Sequence, residues 1–229
     1  MRNADLAAGW LVIFDCDGVL VETEPGETEA ILMVARRYGY QMGLSDAVAA
    51  FRGRKLAEVQ QLIERAIGAA LPDRFIPEVR AACAATVDAT VRASPGLPAV
   101  LAALGRPTCV ASSSPPDVIE RRLTTAGLID AFRGRIYSAY DVNSWKPDPG
   151  LFRHAAAASG FPPQRCVVVE DSHVGVTAAI AAGMVPVAYD PAPGLRPGWP
   201  GAHRLRHLGD LPMLLDAVLP ALESRTLDA

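Results

Sequence analysis

A short apolar run that ends in two carboxylates constrains this chain more than any other stretch. Residues 11–20 read Leu-Val-Ile-Phe-Asp-Cys-Asp-Gly-Val-Leu, so Asp15, Asp17 and Gly18 directly follow a strand-length apolar segment. In extended backbone side chains alternate between two faces, which predicts that both aspartates point the same way. Neighbouring carboxylates repel each other and favour a shared proton or a cation. Mg²⁺, which prefers oxygen ligands and often accompanies phosphate, meets that need. Considered alone, the pair fits a solvated acidic turn equally well.

The composition is that of an ordinary globular protein and argues against several classes of partner. Half of the 229 residues are hydrophobic and 21% are charged, which suits one domain or two modest ones. The formal net charge of -3 lacks the positive excess of nucleic-acid-binding proteins. No apolar run approaches membrane-spanning length. We therefore expect no nucleic-acid partner, no membrane partner, and a monomer or weak homodimer.

The first residues and the cysteines predict a reducing, cytoplasmic location. The N-terminus has no basic region followed by an apolar stretch, so no secretory signal is expected. The four cysteines have no Cys-x-x-Cys spacing, and most of them lie in or beside apolar strand-like runs. Reduced thiols in the core are therefore favoured over disulfides or a zinc site.

The periodicity of the chain separates a helical block from an alternating region. From about residue 23 to residue 93 the apolar residues follow helical spacing, with breaks at Gly39, Pro72 and the Ser-Pro-Gly turn at 94–96. From Pro98 onwards, predicted helices alternate with short apolar strands. Those strands are expected at 108–112, 135–139, 166–170 and 185–189. Strands separated by helices form parallel sheets with crossover connections.

These patterns predict the fold class and the domain organisation. The fold class is α/β, with a Rossmann-like parallel-sheet core and an all-helical block inserted after the first strand. Residues 1–22 and 94–229 would form the core, and residues 23–93 the inserted domain. Residues 190–201 are rich in proline and glycine and should be irregular, before a final helix at 211–222.

Polar side chains are expected to follow several strands of this sheet. In chain order they are Ser112, Ser113, Lys146, Glu170 and Asp171. Singly, each has an ordinary explanation as a helix cap or a solvated loop residue. Open parallel sheets, however, bind ligands at the carboxyl ends of their strands. Because all of these residues are expected at the same sheet edge as Asp15 and Asp17, a common site is favoured.

The groups at this edge suit phosphoryl transfer, in which catalysis consists mainly of charge neutralisation and positioning. Asp15 is the candidate nucleophile and would form an aspartyl-phosphate. Asp17 lies where it could protonate the leaving alcohol and then deprotonate the attacking water. Mg²⁺ could bridge Asp15, Asp171 and a phosphate oxygen. Lys146 and Ser112 could hold the remaining phosphate oxygens.

Four stretches together resemble the four motifs of the haloacid dehalogenase superfamily, in the same order. They are Phe14-Asp15-Cys16-Asp17-Gly18-Val19-Leu20, Ala111-Ser112-Ser113, Trp145-Lys146-Pro147 and Val169-Glu170-Asp171-Ser172. The resemblance covers nearly the whole chain. It is to the branch with a helical cap after the first strand, which includes sugar-phosphate phosphatases and β-phosphoglucomutase. Within this branch the chain looks most like bacterial phosphatases of the 6-phosphogluconate phosphatase type.

The resemblance implies a Mg²⁺-dependent phosphatase for a small phosphorylated metabolite, such as a sugar phosphate or a phosphorylated sugar acid. By the family's pattern, Asp15 is the nucleophile and Asp17 the acid/base. Ser112 and Lys146 would bind the phosphate. The implied metal ligands are Asp15, Asp171, the Asp17 carbonyl and Glu170, the last directly or through water.

The resemblance also implies substrate contacts from the inserted helical domain. The basic loop at 52–55 resembles the cap loop that reads the substrate, and Arg52 and Lys55 are the candidate contacts. Arg54 is interpreted as solvated. Only two of the 22 basic residues are lysines, Lys55 and Lys146, which suits a role for lysine chemistry, although chance explains either lysine singly as well.

Other positions near the motifs depart from the family or separate its members. Glu22 stands where an aspartate is common, and Glu22 and Ser113 are further candidate substrate-binding residues. In the mutase a histidine follows the first motif and an arginine closes the cap loop. Here those positions look like Glu27 and Leu56, which argues against mutase activity.

Three other functions fit these residues less well than phosphate ester hydrolysis does. A dehalogenase needs no metal and lacks the second aspartate, so Asp17 and the acidic pair at 170–171 argue against it. A phosphonate hydrolase uses a cap lysine, which Lys55 could supply, but its relatives replace Asp17 with a small residue. A non-enzymatic phosphate-binding module would tolerate the loss of Asp15 or Asp17, and both are present.

Overall fold

The central feature of the fold is a six-stranded sheet with the strand order β3-β2-β1-β4-β5-β6. The computed structural model describes residues 9–51, 54–191 and 199–227. The strands are β1 Leu11–Phe14, β2 Thr108–Ser112, β3 Ile136–Ser138, β4 Cys166–Glu170, β5 Val185–Tyr189 and β6 His203–Leu205. All neighbouring strands are parallel. The fold class is thus the predicted one, and the strand order reverses beside β1, where such sheets form a ligand-binding crevice.

Helices flank the sheet and form the inserted block. They are α1 Gly26–Arg36, α2 Leu44–Phe51, α3 Leu56–Ile67, α4 Phe75–Thr86, α5 Leu97–Ala103, α6 Pro116–Thr125, α7 Ile129–Phe132, α8 Ala139–Val142, α9 Gly150–Ala158, α10 His173–Ala182 and α11 Leu211–Leu227. None of the helices in the described part of the chain combines the length and the apolar character needed to cross a bilayer.

Strand β1 lies in the middle of the sheet, between β2 and β4, and both of its faces are covered. Val12 and Phe14 pack in one hydrophobic cluster, and Leu11 and Ile13 in another on the opposite face. Burial on both faces explains why the strand is apolar at every position instead of alternating. The same reasoning applies to β2 and β4, whose residues are all buried. The predicted bounds of β2, β4 and β5 agree with the structure.

Helices α1 to α4 pack around a hydrophobic cluster of their own, which includes Leu32, Ile63 and Phe75. Two adjacent linkers join this block to the sheet. Their backbones are paired, since the Glu22 N–H donates to the Arg92 carbonyl at 3.0 Å and the Ser94 N–H donates to the Leu20 carbonyl at 3.0 Å. We propose, on this packing, that residues 23–93 are a cap domain that can shift relative to the core at the linkers.

Short elements account for most differences from the sequence-based expectations. Helices α7 and α8 and strand β6 were not expected, because three or four residues carry no readable periodicity. Strand β3 ends at Ser138 and not at residue 139, since the Ser138 hydroxyl accepts a hydrogen bond from the Tyr140 N–H and caps α8.

Two helix ends also differ from the expected positions. Helix α4 ends at Thr86, although the apolar stripe continues through the buried Val87 and Val91, which line the start of the return linker. Helix α11 continues past Pro220 to Leu227. Most of the segment expected to be irregular, residues 192–198, lies outside the described residues.

The cysteines are free, as expected for reduced core thiols. Cys16, Cys109 and Cys166 are buried, and Cys83 is partly exposed.

Candidate active site

The reversal point of the sheet brings Asp15 and Glu170 together. Asp15 is the first residue after β1, and its N–H donates to the Val169 carbonyl of β4 at 3.0 Å. Glu170 ends β4 and is fully buried, while Asp15 is 7% exposed. Two carboxylates in a largely buried position need compensating positive charge.

Lys146 supplies one positive charge to this pair. Its Nζ donates to Asp15 Oδ1 and to Glu170 Oε1, each at 2.6 Å. The Lys146 side chain is buried and its Nζ lies 5.1 Å from the centre of the Phe152 ring. Burial alone would lower the pKa of Lys146, but the charges of Asp15 and Glu170 raise it above its ordinary value. Lys146 is therefore a fixed cation in the site.

One lysine does not balance the negative charge around Asp15. Burial raises the pKa of the Asp15 carboxyl well above its ordinary value, and the Lys146 charge only opposes that shift. Glu170 raises the pKa further. A further cation would favour the ionised carboxylate that a nucleophile needs.

The carboxylates at this edge fit a divalent metal ion. Oxygen atoms of Asp15, Glu170 and Asp171 lie within 4.8 Å of one another, and oxygen donors are the ligands that Mg²⁺ prefers. Gly18 has a φ of 78°, and a Cβ at this position would lie 2.6 Å from Asp171 Oδ2. The glycine thus leaves room for the Asp171 carboxylate beside the turn.

Glu170 is held by hydrogen bonds on both of its oxygens. Oε1 accepts from Lys146, and Oε2 accepts from the N–H and the hydroxyl of Ser172, each at 2.8 Å. A Cβ at Gly175 would overlap the Glu170 carboxyl group, so this early residue of α10 must lack a side chain. In the sequence Gly175 is marked only as a glycine near the start of a predicted helix, and it was not among the predicted site residues.

Asp17 has partners of its own, separate from those of Asp15. Its Oδ1 accepts from Arg122 Nη1 at 2.5 Å, and its Oδ2 accepts from the Ser114 hydroxyl at 2.8 Å. Strand β1 ends at Phe14, and Cys16 lies in a turn. The prediction that the alternation of side chains along a strand places Asp15 and Asp17 is therefore wrong. The Asp17 carboxylate is also outside the carboxylate cluster described above; the ligand implied for Asp17 is its backbone carbonyl.

The serines after β2 lie at the same edge of the sheet. Ser112 is the last residue of β2, is buried, and accepts the Ser114 N–H at its Oγ at 3.1 Å. Ser113 is partly exposed. Ser114, whose hydroxyl binds Asp17, was not among the predicted site residues, although it belongs to the same run of serines.

Only part of the basic cap loop falls within the described residues. Arg52 lies outside them. Arg54 is exposed, and its Nε donates to the Ala50 carbonyl at 2.9 Å, as suits a solvated residue. Lys55 reaches the core, with its Nζ 4.7 Å from the centre of the Trp145 ring. Trp145 directly precedes Lys146 in the chain, so Lys55 contacts the core loop that carries Lys146.

Glu22 lies in the first linker and is exposed. Together with Gly18, Asp171 and Tyr189 it lines a cleft of about 300 Å³. Glu22 is therefore near the sheet edge that carries Asp171 and is not in the inserted helical block itself.

Sequence reasoning missed a buried arginine that joins Asp17 to the helical block. Arg122 of α6 donates to Asp17 at 2.5 Å, to Glu27 of α1 at 2.5 Å and to Asp88 at 2.6 Å. It lies in the stretch Glu-Arg-Arg at 120–122, which in the sequence is indistinguishable from a solvated helix face.

The chain is similar to known hydrolases and phosphatases over most of its length. A haloacid dehalogenase-like hydrolase family model matches residues 11–183. The chain is 31% identical over 208 residues to 6-phosphogluconate phosphatase of Escherichia coli strain K12, across 90% of this chain and 94% of the relative. It is 33% identical over 175 residues to fructose-1-phosphate phosphatase of the same strain, across 76% and 92%. A solved structure of a conserved haloacid dehalogenase-like protein of unknown function from Agrobacterium tumefaciens has a TM-score of 0.81 and 29% identity, and the match covers 93% of this chain and 100% of that one.

Proposed function

The chain belongs to the haloacid dehalogenase-like hydrolases and is a phosphatase, and we propose that it is Mg²⁺-dependent and works through an aspartyl-phosphate on Asp15. The observation that carries this proposal is the buried array in which Lys146 binds both Asp15 and Glu170 at 2.6 Å. Such an array holds a carboxylate nucleophile beside a fixed cation at the ligand-binding edge of the sheet.

The residues divide the reaction into two steps. In the first, an Asp15 carboxylate oxygen bonds to phosphorus, the bond from phosphorus to the alcohol oxygen breaks, and Asp17 gives its proton to that oxygen. In the second, water attacks phosphorus and Asp17 takes its proton, which frees Asp15 and releases phosphate. The proton taken in the second step is the one needed for the next leaving group. Lys146 and Ser112 hold the other phosphate oxygens.

A metal ion at this site would be held by Asp15, Glu170 and Asp171, with the Asp17 carbonyl as a further ligand. Mg²⁺ bound there supplies positive charge that offsets the repulsion between the carboxylates and the phosphate dianion.

The substrate class follows from the cap and from the relatives. The names of two relatives specify a phosphorylated sugar acid and a sugar phosphate. The core residues described above bind the phosphate, and groups that the cap presents over the site would supply most of the discrimination between substrates. Lys55 on Trp145 offers a positive charge there, which favours a substrate with a carboxylate or several hydroxyls. Arg52 and Glu22 are the further substrate contacts we propose, with Ser113 on the core side.

We expect a phosphate-release screen over phosphorylated metabolites to find sugar phosphates or phosphorylated sugar acids as the best substrates, with Mg²⁺ present. Phosphorus NMR should show net inorganic phosphate without any bisphosphate activator, because a hydrolase passes its phosphoryl group to water. An isomeric sugar phosphate formed in stoichiometric yield, without free phosphate, would instead establish mutase chemistry.

Replacement of Lys55 tests the proposed role of the cap. We expect Lys55→Ala to lower kcat/KM for the best sugar substrate by the ~1.5–3 kcal/mol typical of a hydrogen bond to a charged group. Arg52→Ala should act in the same direction. Hydrolysis of para-nitrophenyl phosphate should hardly change, since that ester offers the cap nothing to bind.

Arg54→Ala is the matched control for this pair of variants, because Arg54 lies in the same loop but folds back onto Ala50. It should leave both substrates near the wild-type rate. Equal losses on both substrates in Lys55→Ala would assign the lysine to cap packing on Trp145 and not to recognition.

A further inference from the structure

We propose that Arg122 is a positioning residue that orients the Asp17 carboxylate and makes this orientation depend on the seating of the helical cap. The inference rests on the proposed function, since it concerns the group that would protonate the leaving alcohol. It assigns an indirect role in catalysis to Arg122 of helix α6 and to its two acidic partners in the inserted block, Glu27 and Asp88.

Both oxygens of the Asp17 carboxylate are engaged. Oδ1 accepts from Arg122 Nη1 at 2.5 Å, and Oδ2 accepts from the Ser114 hydroxyl at 2.8 Å. Two donors on opposite oxygens define the plane of a carboxylate, and charge-assisted hydrogen bonds are the stronger kind. The direction in which Asp17 presents an oxygen to the leaving group is therefore set by Arg122 and Ser114.

The remaining donors of Arg122 are held by the inserted block. Nη2 donates to Glu27 Oε1 at 2.5 Å, and Nε donates to Asp88 Oδ1 at 2.6 Å. Glu27 is in the first turn of α1, and Asp88 follows α4. Arg122 of the core thus binds one residue near the start of the inserted block, Glu27, and one near its end, Asp88.

The centre of this network is buried, while the side chains of Asp17 and Glu27 are 21% and 31% exposed. The side chains of Arg122 and Asp88 are only 3% and 2% exposed. A buried ion pair that loses one partner leaves an uncompensated charge, so its geometry is kept under a large energetic constraint. The guanidinium is a planar fork and cannot shift one donor without shifting the others. A movement of the cap that carries Glu27 or Asp88 away would therefore move Arg122 and release Asp17 from its present orientation.

The structure contains a matched control next to Arg122. Arg121 is half-exposed and donates to the other oxygen of Asp88, Oδ2, from Nε at 3.1 Å and from Nη2 at 2.9 Å. Its further partner is Asp117 of the same helix. Both arginines thus bind Asp88 of the inserted block. Arg122 also binds Asp17, whereas Arg121 binds Asp117 and has no contact with Asp17 among those described.

The test compares single-turnover release of two leaving groups, with enzyme in excess. A sugar phosphate releases an alcohol that needs a proton from Asp17, whereas para-nitrophenyl phosphate releases an anion that leaves without one. We expect Arg122→Lys, which keeps the charge but cannot serve three carboxylates, to slow release of the sugar alcohol by ~10²-fold. Release of para-nitrophenol should change much less. In Arg121→Lys the ratio of the two rates should stay at the wild-type value.

Asp88→Asn provides a second variant, which leaves Arg122 and Asp17 chemically intact and keeps the test open if Arg122→Lys fails to fold. It should shift the ratio of the two rates in the same direction as Arg122→Lys, by a smaller factor, when rates are expressed per folded molecule. Equal slowing of both leaving groups in Arg122→Lys and Asp88→Asn would overturn the positioning role and leave a purely structural one. If the wild-type protein transferred phosphate from neither ester, the proposed function itself would fail, which is a different result from equal slowing.

Discussion

Asp15→Asn is expected to abolish turnover, with a loss of roughly 10⁴–10⁶-fold in phosphate release, as for other removed nucleophiles. Asparagine has the shape of aspartate, but its amide oxygen is uncharged and a poor nucleophile, so it does not form the acyl phosphate. Lys146 keeps its second partner, Glu170, so the array should stay folded. Steady-state phosphate release measures the loss, and circular dichroism checks the fold.

A control for this variant is Asp130→Asn, which removes an exposed carboxylate paired with Arg133 on the surface. It should leave phosphate release near the wild-type rate.

Asp17→Asn should give a smaller loss than Asp15→Asn, of the ~10²–10⁴ that general acid–base catalysis contributes. Near wild-type turnover in Asp15→Asn would refute the covalent mechanism.

Removal of divalent metal is expected to have a comparably large effect. Asp15, Glu170 and Asp171 bring three carboxylates within 4.8 Å of one another, and a phosphate dianion would add further negative charge. Lys146 alone does not offset this repulsion, so phosphate release should fall to background in excess chelator and return when Mg²⁺ is added. Chelator should not unfold the protein, because two hydrophobic clusters, one on each face of the sheet, stabilise the core without a metal ion.

Metal binding can also be measured without turnover. A ligand that binds only the folded state raises its stability, so Mg²⁺ should raise the melting temperature of the wild-type protein. Asp171→Ala should weaken this shift and raise the Mg²⁺ concentration for half-maximal activity by more than about tenfold. Full activity in chelator, with no effect of Mg²⁺ on melting, would contradict the metal site.

The site residues at the strand ends could be predicted because topology alone brings them together. Strands β1, β2 and β4 are buried on both faces, so each is an unbroken apolar run that shows in the sequence. Once the strands are known to be parallel, Asp15, Ser112 and Glu170 must lie at one edge. Lys146 followed from the same rule, although its two hydrogen bonds could not be foreseen.

The network around Arg122 could not be predicted in this way. It joins residues that are 34, 95 and 105 positions apart, on elements whose relative placement depends on how the cap sits on the core. Within its own helix Arg122 has charged neighbours and no pattern that marks it as buried. Asp88 likewise follows a helix end that the apolar stripe placed several residues later. Long-range ion pairs of this kind leave no periodic signal.

The central claim is that the phosphoryl group passes through Asp15, and rapid acid quench followed by mass spectrometry of the peptides tests it directly. With Mg²⁺ and a good sugar phosphate substrate, the peptide that contains Asp15 should carry one phosphoryl group during turnover. With para-nitrophenyl phosphate as the substrate, the phosphorylated fraction should rise in Asp17→Asn, because the nitrophenolate leaves without a proton and only the attack of water is slowed. Turnover at the normal rate with no phosphorylated peptide, or with the group on another residue, would contradict the account.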